Sequence, residues 1–143
     1  MIKNLLTACM AALSITTAMA EIKTINLRII QTSDVHGCFF PYDFINMTSA
    51  NGSMARVISY VDSLRGQYGG NLILLDNGDI LQGQPTSYYS NYIKTDQENI
   101  AAKVVNYMQY DAQTIGNHDM ETGHTVYDEW IKDVKCPVLA ANV

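Results

Sequence analysis

Positive side chains are scarce: nine Lys and Arg stand against 14 Asp and Glu, for a formal net charge of −5 over 143 residues. That balance excludes a basic stripe able to track a nucleic-acid backbone, so any anion must be met by a local concentration of positive charge. Cysteine is nearly as rare, with three in all. Cys9 falls in the leading segment, and Cys38 and Cys136 are too few and too distant for a disulfide framework. No spacing suits a zinc–thiolate site. Cys136, just before Pro137 and an apolar run, reads as a buried free thiol. Repeats, low-complexity linkers and an interior domain boundary are lacking. With 48% hydrophobic and 16% charged residues, the chain is neither disordered nor fibrous.

A stretch long enough to span a bilayer is also missing. Lys3 gives a short positive start, Leu5 to Met19 is uncharged and apolar or small, and Ala18-Met19-Ala20 precedes the charged Glu21 and Lys23. This layout predicts a cleaved secretory signal peptide over residues 1–20 and an exported product, periplasmic or extracellular. The apolar run is shorter than the roughly 20 residues a membrane span needs, so stable membrane insertion is not expected. Leu6-Thr7-Ala8-Cys9 superficially resembles a lipid-attachment site, but cleavage there would leave an unusually short apolar core.

From residue 25 onward strands alternate with helices. Ile25 to Gln31 is short, apolar and rich in β-branched residues, which predicts a buried strand. Residues 35–50 read as an irregular aromatic loop. Met54, Val57, Ile58, Val61 and Leu64 recur at helical spacing within residues 53–68, and Gly69-Gly70 closes that helix. Leu72 to Leu75 is a second buried strand, Pro85 to Ile93 and Gln97 to Gln109 read as helices, and Ala112 to Ile115 is a third strand. A helix at about 124–134 and a fourth strand from Val138 to Ala141 complete the pattern. The fold class is therefore α/β, a mainly parallel sheet with right-handed crossover helices.

Three polar clusters sit just past strand ends: Asp34-Val35-His36, Gly78-Asp79 and Gly116-Asn117-His118-Asp119. In open α/β sheets the loops at this edge converge, so clusters remote in sequence become neighbours. Carboxylates, an imidazole and an amide oxygen suit hard or borderline divalent cations. On an extended strand end Asp34 and His36 would point the same way, and each glycine would let the backbone turn sharply before the next side chain. Singly these clusters are ordinary turns, and Asp119 would make a good helix N-cap. In order, each at a strand end, they point to a metal site.

These residues resemble the calcineurin-like metallophosphoesterases, more narrowly the bacterial 5′-nucleotidase and 2′,3′-cyclic-nucleotide 2′-phosphodiesterase family. The resemblance is carried by Thr32-Ser33-Asp34-Val35-His36-Gly37, Met54-Ala55-Arg56-Val57 and Asp76-Asn77-Gly78-Asp79 with Gln82-Gly83-Gln84-Pro85. Gly116-Asn117-His118-Asp119 and Leu139-Ala140-Ala141-Asn142 continue it, so it covers essentially the whole chain after residue 20. The Gln-Gly-x-Pro stretch leans towards the cyclic-phosphodiesterase and 3′-nucleotidase branch. The resemblance implies an α/β/β/α sandwich and hydrolysis of nucleotide or other small phosphate esters, with no nucleic-acid polymer as partner.

It further implies two divalent cations, drawn from Zn, Mn, Mg, Ca or Fe: Asp34 and His36 on the first, Asp79 bridging, and Asn117 on the second. Water held between cations about 3.5–4 Å apart would lose a proton and attack phosphorus. His118 would stabilise the transition state or protonate the leaving oxygen, paired with a carboxylate that is either Glu121 or Asp119. His124 reads as a surface or capping residue, Asp76 as a turn residue and Arg56 as packing or a surface pair. Base stacking in this family is assigned mostly to a separate C-terminal domain, so the aromatics at 39–44 read as loop packing.

The family completes its metal pair with downstream Gly-His motifs, whereas no histidine follows His124 here. Residues 21–143 are accordingly expected to be a partial domain, inactive or unstable alone, with a sheet face and edge left open. A relative acting on nucleotide sugars or sulfur esters is the other reading of the same site.

Overall fold

The computed structural model describes residues 23–140, so the expected signal segment and the end of the Leu139–Asn142 motif lie outside the described residues. The main sheet has four strands: β1 (Arg28–Thr32), β4 (Leu72–Asp76), β5 (Ala112–Thr114) and β6 (Val138–Leu139). They lie in the order β1-β4-β5-β6 and every pairing is parallel. The mainly parallel α/β expectation is met. Parallel neighbours need crossovers, and helices supply them. These are α1 (Met54–Tyr68), α2 (Pro85–Tyr88) running into a π-turn at Tyr89–Ile93, α3 (Ile100–Met108), α4 (Asn117–Glu121) and α5 (His124–Asp133). Among the described residues no helix is long and apolar enough to cross a membrane.

The three longer helices each bury an apolar stripe. Met54 and Val61 of α1, Ala101, Ala102, Val105 and Met108 of α3, and Val126 and Trp130 of α5 join Leu72 and Leu74 of β4 in one cluster. The start of α3 is set by side-chain chemistry. Asn99 caps α3 by accepting from the Ala101 N–H at 2.9 Å, and its amide donates to Asn91, whose own amide donates to the Leu81 carbonyl.

Two expectations are corrected. The first strand, expected to be buried, begins at Arg28 and is largely exposed: Ile25, Leu27 and Ile29 are 64%, 53% and 58% exposed. It lies at the sheet edge, and the helical core meets only the face bearing Ile30, Leu72, Leu74 and Val138. On the opposite face Ile29 and Leu139 stay exposed and Ile73 and Leu75 half-buried. Second, the loop at 35–50 contains an antiparallel hairpin, β2 (Tyr42–Asp43) and β3 (Thr48–Ser49). Two-residue strands leave no periodicity to read. The turn is fixed by Asp43, which accepts from the Ile45 and Asn46 N–H groups. Cys38 and Cys136 are free thiols, both half-buried.

Beneath the carboxyl edge lies a buried polar knot. Asp76 accepts from Thr32 Oγ1 at 2.6 Å, from the Gly78 N–H and from the Gln113 amide, and Thr32 also meets the Tyr110 hydroxyl at 2.8 Å. Burial raises the Asp76 carboxyl pKa above its ordinary value near 3.8, only partly opposed by those hydrogen bonds. The folded chain thus binds this proton more tightly than the unfolded chain. The stability linked to protonation is present below pH 3.8 and is lost as pH rises through the folded value. Asp76→Asn removes that loss. In urea unfolding at several pH values from about 4 to 7, the stability of the variant relative to wild type should climb with pH. A pH-independent difference would show that the carboxylate is not destabilised by burial.

Candidate metal centre

The three sequence clusters meet at the carboxyl edge of β1, β4 and β5, and a network of loop hydrogen bonds sets their spacing. The Asp34 N–H donates to the Gly78 carbonyl at 3.1 Å and the His36 N–H to the Asp79 carbonyl at 2.9 Å, which ties the first loop to the second. The His118 N–H donates to Asp79 Oδ1 at 2.8 Å, which ties the second to the third. His36, Asp79 and His118 each offer a ligand atom, and these atoms lie within 4.8 Å of one another. The two imidazole rings meet edge to face with centroids 5.3 Å apart.

Asp34 lies beside this triad, its Oδ1 4.0 Å from His36 Nε2, and its side chain is 64% exposed. The route by which it gets there differs from expectation. Asp34 and His36 do not alternate along an extended strand: β1 stops at Thr32, and both residues have left-handed backbones, with φ of 54° and 47°. Asp79 is left-handed too, with φ of 60°. The glycines also divide the work differently. Gly78 has the expected positive φ of 89°, but Gly116 has φ −89° and ψ 171°, a backbone any residue adopts. Gly116 is required by close approach, because a Cβ there would collide with the Asp79 carboxylate.

Asn117 opens α4 at the same edge and is exposed. One turn on, Glu121 Oε2 lies 2.7 Å from His118 Nδ1, so of the two carboxylates weighed as partner of His118 the structure places Glu121 there. The hydrogen bond to Glu121 raises the His118 pKa, and the same bond, with a second from Gln82, lowers that of Glu121. With Nδ1 occupied, Nε2 is the nitrogen left for the site. His124, at the start of α5, is exposed and meets Tyr127 and Asp128. Arg56 is exposed on α1.

Asp119 is not at the reacting surface. It is fully buried and accepts four backbone N–H groups: Asp79 at 2.8 Å and Gly116 at 2.9 Å on Oδ2, Ile80 and Leu81 at 2.9 Å each on Oδ1. It caps α4 from the third helical position, while Gly116 is the N-cap. Sequence reasoning weighed Asp119 as a partner of His118 or an N-cap and missed this inward role. A carboxylate so enclosed is held by its donors alone. Asp119→Asn turns one acceptor oxygen into a donor facing two N–H groups. It should destabilise the fold by about 3–5 kcal/mol, lowering Tm by about 10 °C or more in a thermal melt. A melt within about 2 °C of wild type would contradict the latch.

The geometry has counterparts. A family model for calcineurin-like phosphoesterases matches residues 27–140. The chain is 29% identical over 148 residues to a 2′,3′-cyclic-nucleotide 2′-phosphodiesterase/3′-nucleotidase of Yersinia enterocolitica, covering 100% of this chain and 22% of that protein. It is 30% identical over 123 residues to the 5′-nucleotidase of Homo sapiens, covering 82% and 20%. The crystal structure of the calcineurin-like phosphoesterase YfkN from Bacillus subtilis superposes with a TM-score of 0.75 at 31% identity, covering 82% of this chain and 37% of that one. The chain thus spans about a fifth of the length of the curated relatives it matches. The family match spans nearly all of the described residues, and the chain belongs to the calcineurin-like phosphoesterase family.

Proposed function

We propose that the full gene product hydrolyses nucleotide phosphate esters, with this chain supplying the first half of a two-cation site. The observation that carries the proposal is the convergence of His36, Asp79 and His118 within 4.8 Å at the carboxyl edge of a parallel sheet. The names of the relatives, nucleotidases and a cyclic-nucleotide phosphodiesterase, support a nucleotide as the substrate class. Whether the ester is a 5′-monoester or a 2′,3′-cyclic diester is decided by residues that meet the nucleoside. The Gln82-Gly83-Gln84-Pro85 stretch favours the cyclic branch. The signal pattern at residues 1–20 supports action outside the cytoplasm.

The donor set fits divalent cations. Two imidazoles and a carboxylate stand together, with the Asp34 carboxylate beside them and the Asn117 amide at the same edge, a set without a thiolate that suits hard to borderline ions. Asp34 and His36 would hold one ion, Asp79 would be shared and Asn117 would hold the second. In a chain of net charge −5 such ions would be the concentrated positive element an anionic substrate needs. When bound, they supply Lewis-acid charge for the phosphoryl oxygens and a lowered pKa for a water nucleophile. The protein's own contribution is proton delivery. As water attacks phosphorus, the bond to the leaving oxygen breaks, and His118 Nε2 gives that oxygen its proton. Glu121, on Nδ1, holds the imidazole in the required orientation and stabilises its charged form.

His118 also lies close enough to His36 and Asp79 to act as a ligand, so the test separates the two roles. In the full gene product, Asp79→Ala should reduce hydrolysis of a nucleotide panel by at least about 1,000-fold with Mn²⁺, Zn²⁺ or Mg²⁺ present, together with loss of cation affinity by calorimetry. His118→Ala should reduce kcat by about 100–10,000-fold while leaving cation affinity within a few-fold. Unchanged hydrolysis in Asp79→Ala removes the shared-ligand assignment. Lost cation affinity in His118→Ala makes this residue a ligand.

A further inference from the structure

The Gln82 stretch is a sequence motif that the proposed chemistry leaves unused, yet Gln82 contacts both histidines of the site, His36 at its ring and His118 at its backbone carbonyl. Its backbone carbonyl lies 3.3 Å from His36 Nδ1. Its side-chain Nε2 donates to the His118 carbonyl at 2.7 Å and to Glu121 Oε2 at 3.0 Å. The same Glu121 oxygen meets His118 Nδ1 at 2.7 Å, so one carboxylate oxygen is shared between the amide and the ring. The next residue explains the proximity. A Cβ at Gly83 would come within 2.7 Å of His36 Cβ, so residues 82–83 are pressed directly against His36.

We propose that Gln82 is a positioning residue that aims the Nε2 atoms of His36 and His118 into the site, the first through its carbonyl and the second through Glu121. The proposal rests on the reading of His118 as the proton donor. A Glu side chain at an exposed helix end has several rotamers, of which few meet Nδ1 of His118. The Gln82 amide selects one by bonding the carboxylate and the α4 backbone together, so the imidazole is pre-oriented before substrate arrives. The carbonyl bond to His36 belongs to the backbone and survives side-chain replacement. The two effects are therefore separable: changing the side chain disturbs His118 and spares His36.

The test uses the full gene product loaded with Mn²⁺. Gln82→Met, equal in length but without an amide, should lower kcat by about 10–100-fold, with KM and Mn²⁺ affinity changed by less than about threefold. In a Glu121→Ala background the same substitution should cost less than about threefold further, because the route it acts through is gone. Independently of activity, a long-range ¹H–¹⁵N spectrum of the metal-free protein, taken at a pH where the His118 ring is neutral, should show one tautomer with Nδ1 protonated, and a mixture of tautomers in Gln82→Met. If Gln82→Met does not fold, Gln82→Glu, which keeps the length but in its ionised form donates nothing to Glu121, carries the same measurements. Equal losses in the two backgrounds, or a single unchanged tautomer in the variant, would overturn the proposal. Absent hydrolysis by wild type would overturn the reading of His118 as proton donor, and the tautomer spectrum would then decide on Gln82 alone.

Discussion

The structure depends on one buried carboxylate. Asp119 gathers four backbone N–H groups from two loops that follow different strands, and in doing so converts two flexible connections into one rigid piece. An ionised side chain without access to water is destabilising unless its lone pairs are filled. Here the donors are main-chain groups that would themselves be orphaned if the carboxylate were absent. The dependence runs both ways, which is why the loop after β4 and the loop after β5 keep a fixed separation. Asp79 then completes the circuit with its own side chain, accepting from the His118 N–H.

That rigidity is needed because the site is built from unfavourable backbone. Asp34, His36 and Asp79 all occupy the left-handed region, which costs a residue with a Cβ roughly 1–2 kcal/mol. Three such residues in one cluster persist only if their surroundings determine them. The bonds from Asp34 to Gly78 and from His36 to Asp79 fix the first loop on the second, and the carboxylate of Asp119 fixes the second on the third. The reward is convergence: left-handed turns bring side chains together over a distance that an extended strand end would spread apart.

Much of the scaffold was legible in the sequence because it follows from periodicity and termination. The apolar spacing from Met54 to Leu64 marked α1, the glycine at 69 marked its end, and four short apolar runs between helices marked a parallel sheet. The edge at which Asp34, His36, Asp79 and His118 meet followed from their places after strands. What escaped was everything set by the backbone's local path. The left-handed turn at 34–36 and the two-residue strands of the hairpin have no repeating pattern. The choice between Asp119 and Glu121 depends on which way a helical turn faces: residue 119 points down into the loops, and residue 121 lies one turn on from 118 on the same helix face, within reach of its ring. One signal was available for the latch, an acidic residue at the third position of a helix whose N-cap is glycine, where no side chain can cap.

The open side of the sheet bears on stability. Parallel strands are usually apolar on both faces because both are covered, and β1 is written that way, with Ile29 and Ile30 pointing to opposite sides. Only Ile30 reaches the helical core. At the site His36, Asp79 and His118 bring three ligand atoms within 4.8 Å, with Asp34 beside them and Asn117 exposed at the same edge. The chain covers 37% of the similar YfkN structure. A covered second face is absent among the described residues, and an apolar layer packed on Ile29, Leu75 and Leu139 would take that surface out of water.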